Sequence, residues 1–245
     1  MTKRIVITGG TSGIGRAAAL GFAKAGWQVA TCGRRQDRLD SLKSDADIAL
    51  AAVCDVTDPE AVARFFAEVK RSFGGIDVVF NNAGVFAPMA SIGDLDVDIW
   101  RRMVDVNLNG VFYVAREAFR MMREQSPQGG RIINNGSISA YMPRPQAASY
   151  TATKHAVTGL TKAISLDGRA VNIACGQIDI GNTATDMTAA MSGGVLQADG
   201  STRVEPRFDV KYVVDALLYM AGLPLEANVQ FMTVMATTMP YIGRG

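Results

Sequence analysis

The strongest constraint on the fold is an alternation that runs the length of the chain, with short apolar, β-branched runs separated by longer stretches of helical character. Strand candidates are Arg4–Thr8, Gln28–Cys32, Ile48–Cys54, Ile76–Asn81, Arg131–Asn134, Val171–Gly176 and Val229–Val234. Helix candidates lie between them at Gly13–Ala25, Arg35–Lys43, Pro59–Ser72, Asp98–Gln125, Ala148–Leu166 and Val210–Gly222. Such alternation predicts parallel strands joined by right-handed crossovers. Continuous apolar runs such as Val78-Val79-Phe80 suit strands buried on both faces. The expectation is an α/β fold, a doubly wound parallel seven-stranded sheet between two helix layers, as one domain over residues 1–245. The least regular stretch, Gly181–Phe208, follows the sixth strand. Segments beyond the carboxyl ends of such strands form the ligand site, so this one reads as a lid candidate or as a surface excursion without function.

Composition narrows the function classes. With 48% hydrophobic and 20% charged residues, the 245-residue chain has ample apolar surface for a core. The net charge of +2 is spread along the sequence, which gives neither a nucleic-acid nor a membrane-surface role electrostatic support. The longest uncharged stretch, Ala227–Gly243, is 17 residues and contains Asn228, Gln230 and Pro240, short of the ~20 apolar residues of a spanning helix. Only Ile5-Val6-Ile7 is apolar after Lys3 and Arg4, too little for a secretory core, so the expected location is cytoplasmic. The three cysteines, Cys32, Cys54 and Cys175, lack metal-site spacing and read as buried free thiols.

Directly after the first strand comes Thr8-Gly9-Gly10-Thr11-Ser12-Gly13-Ile14-Gly15, then the helix-forming run Arg16-Ala17-Ala18-Ala19-Leu20. Strand, glycine turn and helix in this order let backbone N–H groups and the helix N-terminus meet a pyrophosphate, as in a Rossmann-type unit. The spacing is Gly9-x-x-x-Gly13-x-Gly15, with Ala18 where a GxGxxG motif would have its third glycine. A carboxylate ~20 residues on normally binds the adenosine ribose. Here the second strand ends in Gly33-Arg34-Arg35, two guanidinium groups that suit a 2′-phosphate, so NADP(H) is expected over NAD(H). Asp55, with Val56 after the third strand, reads equally as an acceptor for adenine or as part of a helix cap with Thr57 and Asp58.

The chemistry resides in Tyr150-Thr151-Ala152-Thr153-Lys154, which sets a phenol and an ammonium one helical turn apart. At ~4 Å and an effective dielectric of ~20, the Lys charge stabilises a phenolate by ~4 kcal/mol, enough to bring a tyrosine from ~10 to roughly 7. Such a tyrosine can act as acid or base near neutral pH. Ser137, just past the fifth strand, is placed to polarise a substrate oxygen. Asn107 interrupts the long fourth helix, where it either holds a water or is an ordinary helix-face residue.

Together these residues resemble the classical short-chain dehydrogenase/reductase family over essentially the whole chain. The glycine motif matches Thr8 to Gly15, the Asn-Asn-Ala-Gly motif matches Asn81-Asn82-Ala83-Gly84, and the catalytic tetrad maps onto Asn107, Ser137, Tyr150 and Lys154. The resemblance implies hydride transfer between nicotinamide and a carbonyl compound or secondary alcohol, with Tyr150 exchanging the proton. It also implies that Asn82, Ala83 and Gly84 support the adenosine ribose, that Lys154 binds the nicotinamide ribose, that Ile178 joins the cofactor contacts, and that the chain forms a homodimer or homotetramer. Val111, Phe112, Val114, Ala115 and Phe119 serve either that assembly or packing within the subunit.

Two departures stand out. Members carry Pro-Gly after the sixth strand and a Thr four residues beyond the Gly; reading the strand end at Gly176 puts Cys175 and Ile180 at those places, with Asn182, Thr183 or Thr185 as substitutes. The turn Asp167-Gly168-Arg169 also looks shorter than usual. Substrate walls are expected at Tyr141–Pro145 and Met187–Leu196, apolar and suited to a medium-sized carbonyl compound, with Arg144 solvated or meeting an acidic group. A 3-oxoacyl-thioester reductase and a non-catalytic NADP(H) sensor or scaffold remain as other readings. The only histidine, His155, adjoins Lys154 and faces about 100° away around the helix, and no GxSxG elbow surrounds Ser137, so a serine hydrolase does not fit.

Overall fold

The structure is a computed structural model that describes residues 2–185 and 193–242. Its sheet contains β1 (Arg4–Thr8), β2 (Gln28–Gly33), β3 (Leu50–Val53), β4 (Val78–Asn81), β5 (Gly130–Asn135), β6 (Ile173–Ile180) and β9 (Phe231–Val234). These seven strands are all parallel, in the order β3-β2-β1-β4-β5-β6-β9. The order reverses between β1 and β4, which opens a crevice at the carboxyl ends there. A short antiparallel hairpin, β7 (Val195–Leu196) with β8 (Thr202–Arg203), stands apart from the sheet.

Helices α1 (Gly13–Lys24), α2 (Gln36–Asp45) and α7 (Lys211–Gly222) cover one face, where Phe22, Leu42, Val213 and Leu217 pack on Ile5, Ile7 and Phe80. The other face is covered by α3 (Pro59–Phe73), α5 (Gly110–Glu124) and α6 (Ala148–Asp167), with Phe65, Val114, Met122 and Ile164 on Val6, Val79 and Ile132. Burial on both sides explains why the central strands are continuously apolar. The doubly wound three-layer architecture is the one expected from the alternation.

Four expected strand boundaries among these are corrected. The edge strand β3 begins at Leu50 rather than Ile48, and β4 at Val78 rather than Ile76. The sixth strand begins two residues late, because a 3-10 turn at Arg169–Val171 and a left-handed Asn172 (φ 56°) precede it. It then continues four residues past Gly176, because Gln177–Ile180 pair with Phe231–Val234 of β9. The long fourth helix is not one α-helix either: α4 (Val97–Val104) and α5 are joined by a π turn at Asp105–Asn109. Gly110, where α5 starts, comes so close to Val56 that a Cβ there would meet its Cγ2 at 2.8 Å.

Among the apolar residues on α5, Val111, Val114 and Ala115 are buried within the subunit, whereas Phe112 is 46% exposed. No helix among the described residues is long and apolar enough to cross a membrane.

Candidate active site

Every candidate residue of the first half of the site follows the carboxyl end of a strand. Gly9, after β1, has φ 71°, a left-handed conformation natural to glycine. Gly15 packs directly on the Gly9 carbonyl, and a Cβ on Gly15 would collide with it and with Asn82. The turn is fixed from below by Asn82, whose side-chain amide donates to the Thr8 carbonyl at 2.8 Å, while Thr8 Oγ1 accepts from the Asn82 and Ala83 N–H groups at 3.0 Å each. Ser12 stands at the N-terminus of α1 and makes no side-chain cap, which leaves the first-turn N–H groups for an anion.

Arg34 and Arg35 leave β2 on the exposed rim of the same cleft, and Arg34 lies 4.0 Å from Asp55. Asp55 lines the cleft, and one of its oxygens accepts from the Thr57 N–H and hydroxyl at 3.0 and 2.9 Å. Capping of α3 falls to Asp58, which accepts from the Glu60 N–H at 2.9 Å.

The cleft holds about 450 Å³ and joins this glycine turn to Tyr150 and Lys154 on α6. Thr11, Ser12, Gly13, Ile14, Val56, Ala83 and Gly84 line it as expected. Ile178 does not. It is fully buried in the sheet between Asn135 and Met232, because β6 runs on past it. The corrected strand end also resolves the apparent departure at Cys175-Gly176, since those residues lie in mid-strand. Gly181 follows the strand, and Thr185 stands four residues beyond it. The pattern implied by the resemblance therefore reads Ile180-Gly181 and Thr185, with only the proline replaced. Ile180, Gly181, Thr183 and Thr185 line the cleft, whereas Asn182 is buried against Glu205.

The catalytic half is held by buried bonds. Ser137 opens a 3-10 turn at Ile138–Ala140, its Oγ accepting from the Ser139 N–H at 3.1 Å and its own N–H donating to Asp179 at 2.9 Å. Lys154 donates to the Asn135 carbonyl at 2.7 Å, with its ammonium 5.6 Å from the centre of the Tyr150 ring. Phe86 meets that ring edge-on, centroids 4.9 Å apart. Asn107, fully buried in the π turn, pairs with both backbone groups of Val85: its Oδ1 accepts at 2.8 Å and its Nδ2 donates at 2.9 Å. The side-chain amide expected to hold a water is thus occupied by Val85.

The expected lowering of the Tyr150 pKa is overturned. Burial pushes the phenol above its ordinary value, while a hydrogen bond with Ser137 and the Arg144 charge pull it down and Asp179 pushes it up. Lys154 is itself brought down to about 8 by burial, against the pull of Asp179. The burial of the phenol, and after it the opposing carboxylate, is what the helix spacing alone leaves out.

On the substrate side, Tyr141 and Met142 are exposed. Of the two readings of Arg144, the solvated one does not hold. The residue pairs with the buried Glu205 and donates to Asn182 at 2.9 Å, its side chain only 10% exposed. The Gly181–Phe208 excursion is stitched at its base by a bridge between Thr183 and Phe208. Met187 and Met191, expected in the wall, lie outside the described residues. His155 is exposed, its ring against the Thr151 carbonyl. Sequence reasoning missed Asp179, Gln177, Phe86 and Asn135; for Asp179 the signal was a carboxylate in an apolar strand run.

Comparison with known proteins agrees with this geometry. The family model for short chain dehydrogenase matches residues 3–194. A 3beta-hydroxysteroid dehydrogenase of Mediterraneibacter gnavus is 36% identical over 88% of this chain and 79% of its own length. Sulfoacetaldehyde reductase 2 of Chromohalobacter salexigens is 32% identical over 97% of this chain and 95% of its own. Among solved structures, the closed form of serine dehydrogenase complexed with NADP+ superposes with a TM-score of 0.86 at 27% identity, covering 98% of this chain and 97% of that one. With the family model over most of its length and relatives above 30% identity, the chain belongs to the short-chain dehydrogenase/reductase family, oxidoreductases acting on CH–OH and C=O groups.

Proposed function

We propose that this protein is an NADP(H)-dependent oxidoreductase that interconverts a carbonyl compound and a secondary alcohol. The observation that carries this reading is one continuous cleft with a glycine turn and two guanidinium groups at one end and Lys154 and Tyr150, the latter hydrogen-bonded to the buried Ser137, at the other. The residues fit the cofactor: the close approach at Gly15 leaves space where any side chain would intrude, and Arg34 and Arg35 suit a 2′-phosphate. When bound, NADP(H) supplies or accepts the hydride at the substrate carbon.

The chain's own residues do the rest. First-turn N–H groups of α1 hold the pyrophosphate, and Asn82, Ala83 and Gly84 support the adenosine ribose. Ser137 holds the substrate oxygen, and Tyr150 donates a proton to it in reduction or withdraws one in oxidation. Lys154 orients the nicotinamide ribose and supports the phenol. The proton that Tyr150 gives up is replaced from solvent by a path that does not use the Asn107 side-chain amide, whose Oδ1 and Nδ2 are engaged with Val85.

The test is NADPH oxidation, followed by absorbance, with a panel of ketones that includes a 3-oxosteroid, sulfoacetaldehyde and a 3-oxoacyl thioester. Turnover that disappears in Tyr150→Phe supports the reading; absence of turnover with every carbonyl, or preference for NADH, overturns it in whole or in its cofactor part. Assembly through α5, where Phe112 stands exposed, completes the proposal as a homodimer or homotetramer, and a monomeric mass by light scattering contradicts it.

A further inference from the structure

Strand β6 carries two polar residues for which the reaction described above has no use. Gln177 and Asp179 project to one face of the strand, and both are fully buried. A carboxylate withdrawn from water persists only when its oxygens are satisfied. Asp179 Oδ1 accepts from Gln177 Nε2 at 2.7 Å and from the Ser137 N–H at 2.9 Å, and Oδ2 accepts from the Tyr141 hydroxyl at 3.3 Å. Gln177 is anchored in turn on α6, donating to Thr158 and accepting from Thr161, each at 3.0 Å. Room for the carboxylate comes from Gly136, where a Cβ would collide with it.

Burial pushes the Asp179 carboxyl above its ordinary value, while the three donors bonded to it and the Lys154 charge favour its ionised form. The charge it then carries faces Lys154 and Tyr150 on α6, Tyr141 in the turn after β5 and Tyr241 in the C-terminal segment, while Arg144 faces Tyr150 with the opposite sign. A carboxylate beside a phenol opposes formation of a phenolate, as a nearby cation favours it. Asp179 thus adds to burial and offsets Arg144 at the Tyr150 phenol, and it also grips the backbone of Ser137, which bonds to that phenol.

We propose that Asp179 is a positioning residue of the active site, which fixes the Ser137 backbone beside Tyr150 and by its negative charge keeps the Tyr150 phenol protonated as a proton donor for carbonyl reduction. The inference rests on the hydride-transfer reading for its meaning, but its test does not require turnover. The full chain is labelled with ring-carbon-13 tyrosine, Tyr150 is assigned among the 6 tyrosines by comparison with Tyr150→Phe, and its titration is followed by NMR up to pH 11. Asp179→Asn and Asp179→Ser are both measured, with melting curves to establish folding. The expected result is a Tyr150 midpoint lower by about one pH unit in each folded variant than in the unmodified protein.

An unchanged or higher midpoint in a folded variant overturns the proposal. Failure of both variants to fold also overturns it, by assigning Asp179 to the scaffold alone. Loss of the hydride-transfer reading has a different signature: the midpoint falls as expected while no carbonyl compound is reduced.

Discussion

At the β1–β3 end of the cleft the ligand-facing groups are backbone N–H groups and two exposed guanidinium groups, each placed by its own turn. At the β5–β6 end Tyr150 and Lys154 stand against a buried network that spans three elements: the Ser137 N–H bonds to Asp179, Asp179 to Gln177, and Gln177 to Thr158 and Thr161. The first end is assembled from independent parts, the second from a network. Perturbations should therefore add at one end and interfere at the other.

The largest expected effect tests the network. Tyr150→Phe lowers kcat on the order of 10³-fold, the scale of a lost general acid, and adding Lys154→Met lowers it little further, since the two act as a unit. Independent losses that multiply in steady-state kinetics would break the comparison at this end. Next is Gly15→Ala, where the new Cβ strikes the Gly9 carbonyl and Asn82; thermal unfolding should show a loss of about 2 kcal/mol and NADPH affinity should fall with it.

Smaller effects follow at the exposed end. Arg34→Ala and Arg35→Ala each raise the KM for NADPH about tenfold, leave NADH kinetics unchanged, and multiply in the double variant. An equal effect on both cofactors would show that the pair does not read the 2′-phosphate. Smallest is the stability of the cofactor-free protein. Lys154 falls to about 8 in the folded chain from an ordinary 10.5, so the unfolded chain binds its proton more tightly and the buried charge is fully destabilising below pH 8. Lys154→Met should therefore stabilise the protein by on the order of 1 kcal/mol at pH 7, the gain shrinking as pH rises from 8 to 10.5. A gain independent of pH in chemical denaturation would contradict this origin.

The same division governed what the sequence could reveal. The turn at Thr8–Gly15 and the pair Arg34-Arg35 are local, and their neighbours in sequence are their neighbours in space. The Tyr150–Lys154 spacing is local too, and both residues do reach the cleft. The end of β6 was not legible, because Gln177 and Asp179 read as a polar exit from the sheet until β9, more than fifty residues on, pairs with them. Nor was the direction in which Tyr150 moves, since a helix spacing shows Lys154 and hides the burial of the phenol beneath other elements. Arg144 also read as solvated for a like reason: Glu205 reaches it only after the excursion folds back to Phe208.

The π turn at Asp105–Asn109 inserts one residue beyond the α-helical repeat, and each residue of an α-helix advances the chain by about 100°. It acts as a phase shifter between the exposed start of α4 and the buried face of α5. Deleting one residue there would keep the helix continuous yet turn Met103 away from the core or carry Asn107 off Val85, so chain length in this short segment is fixed as firmly as residue identity.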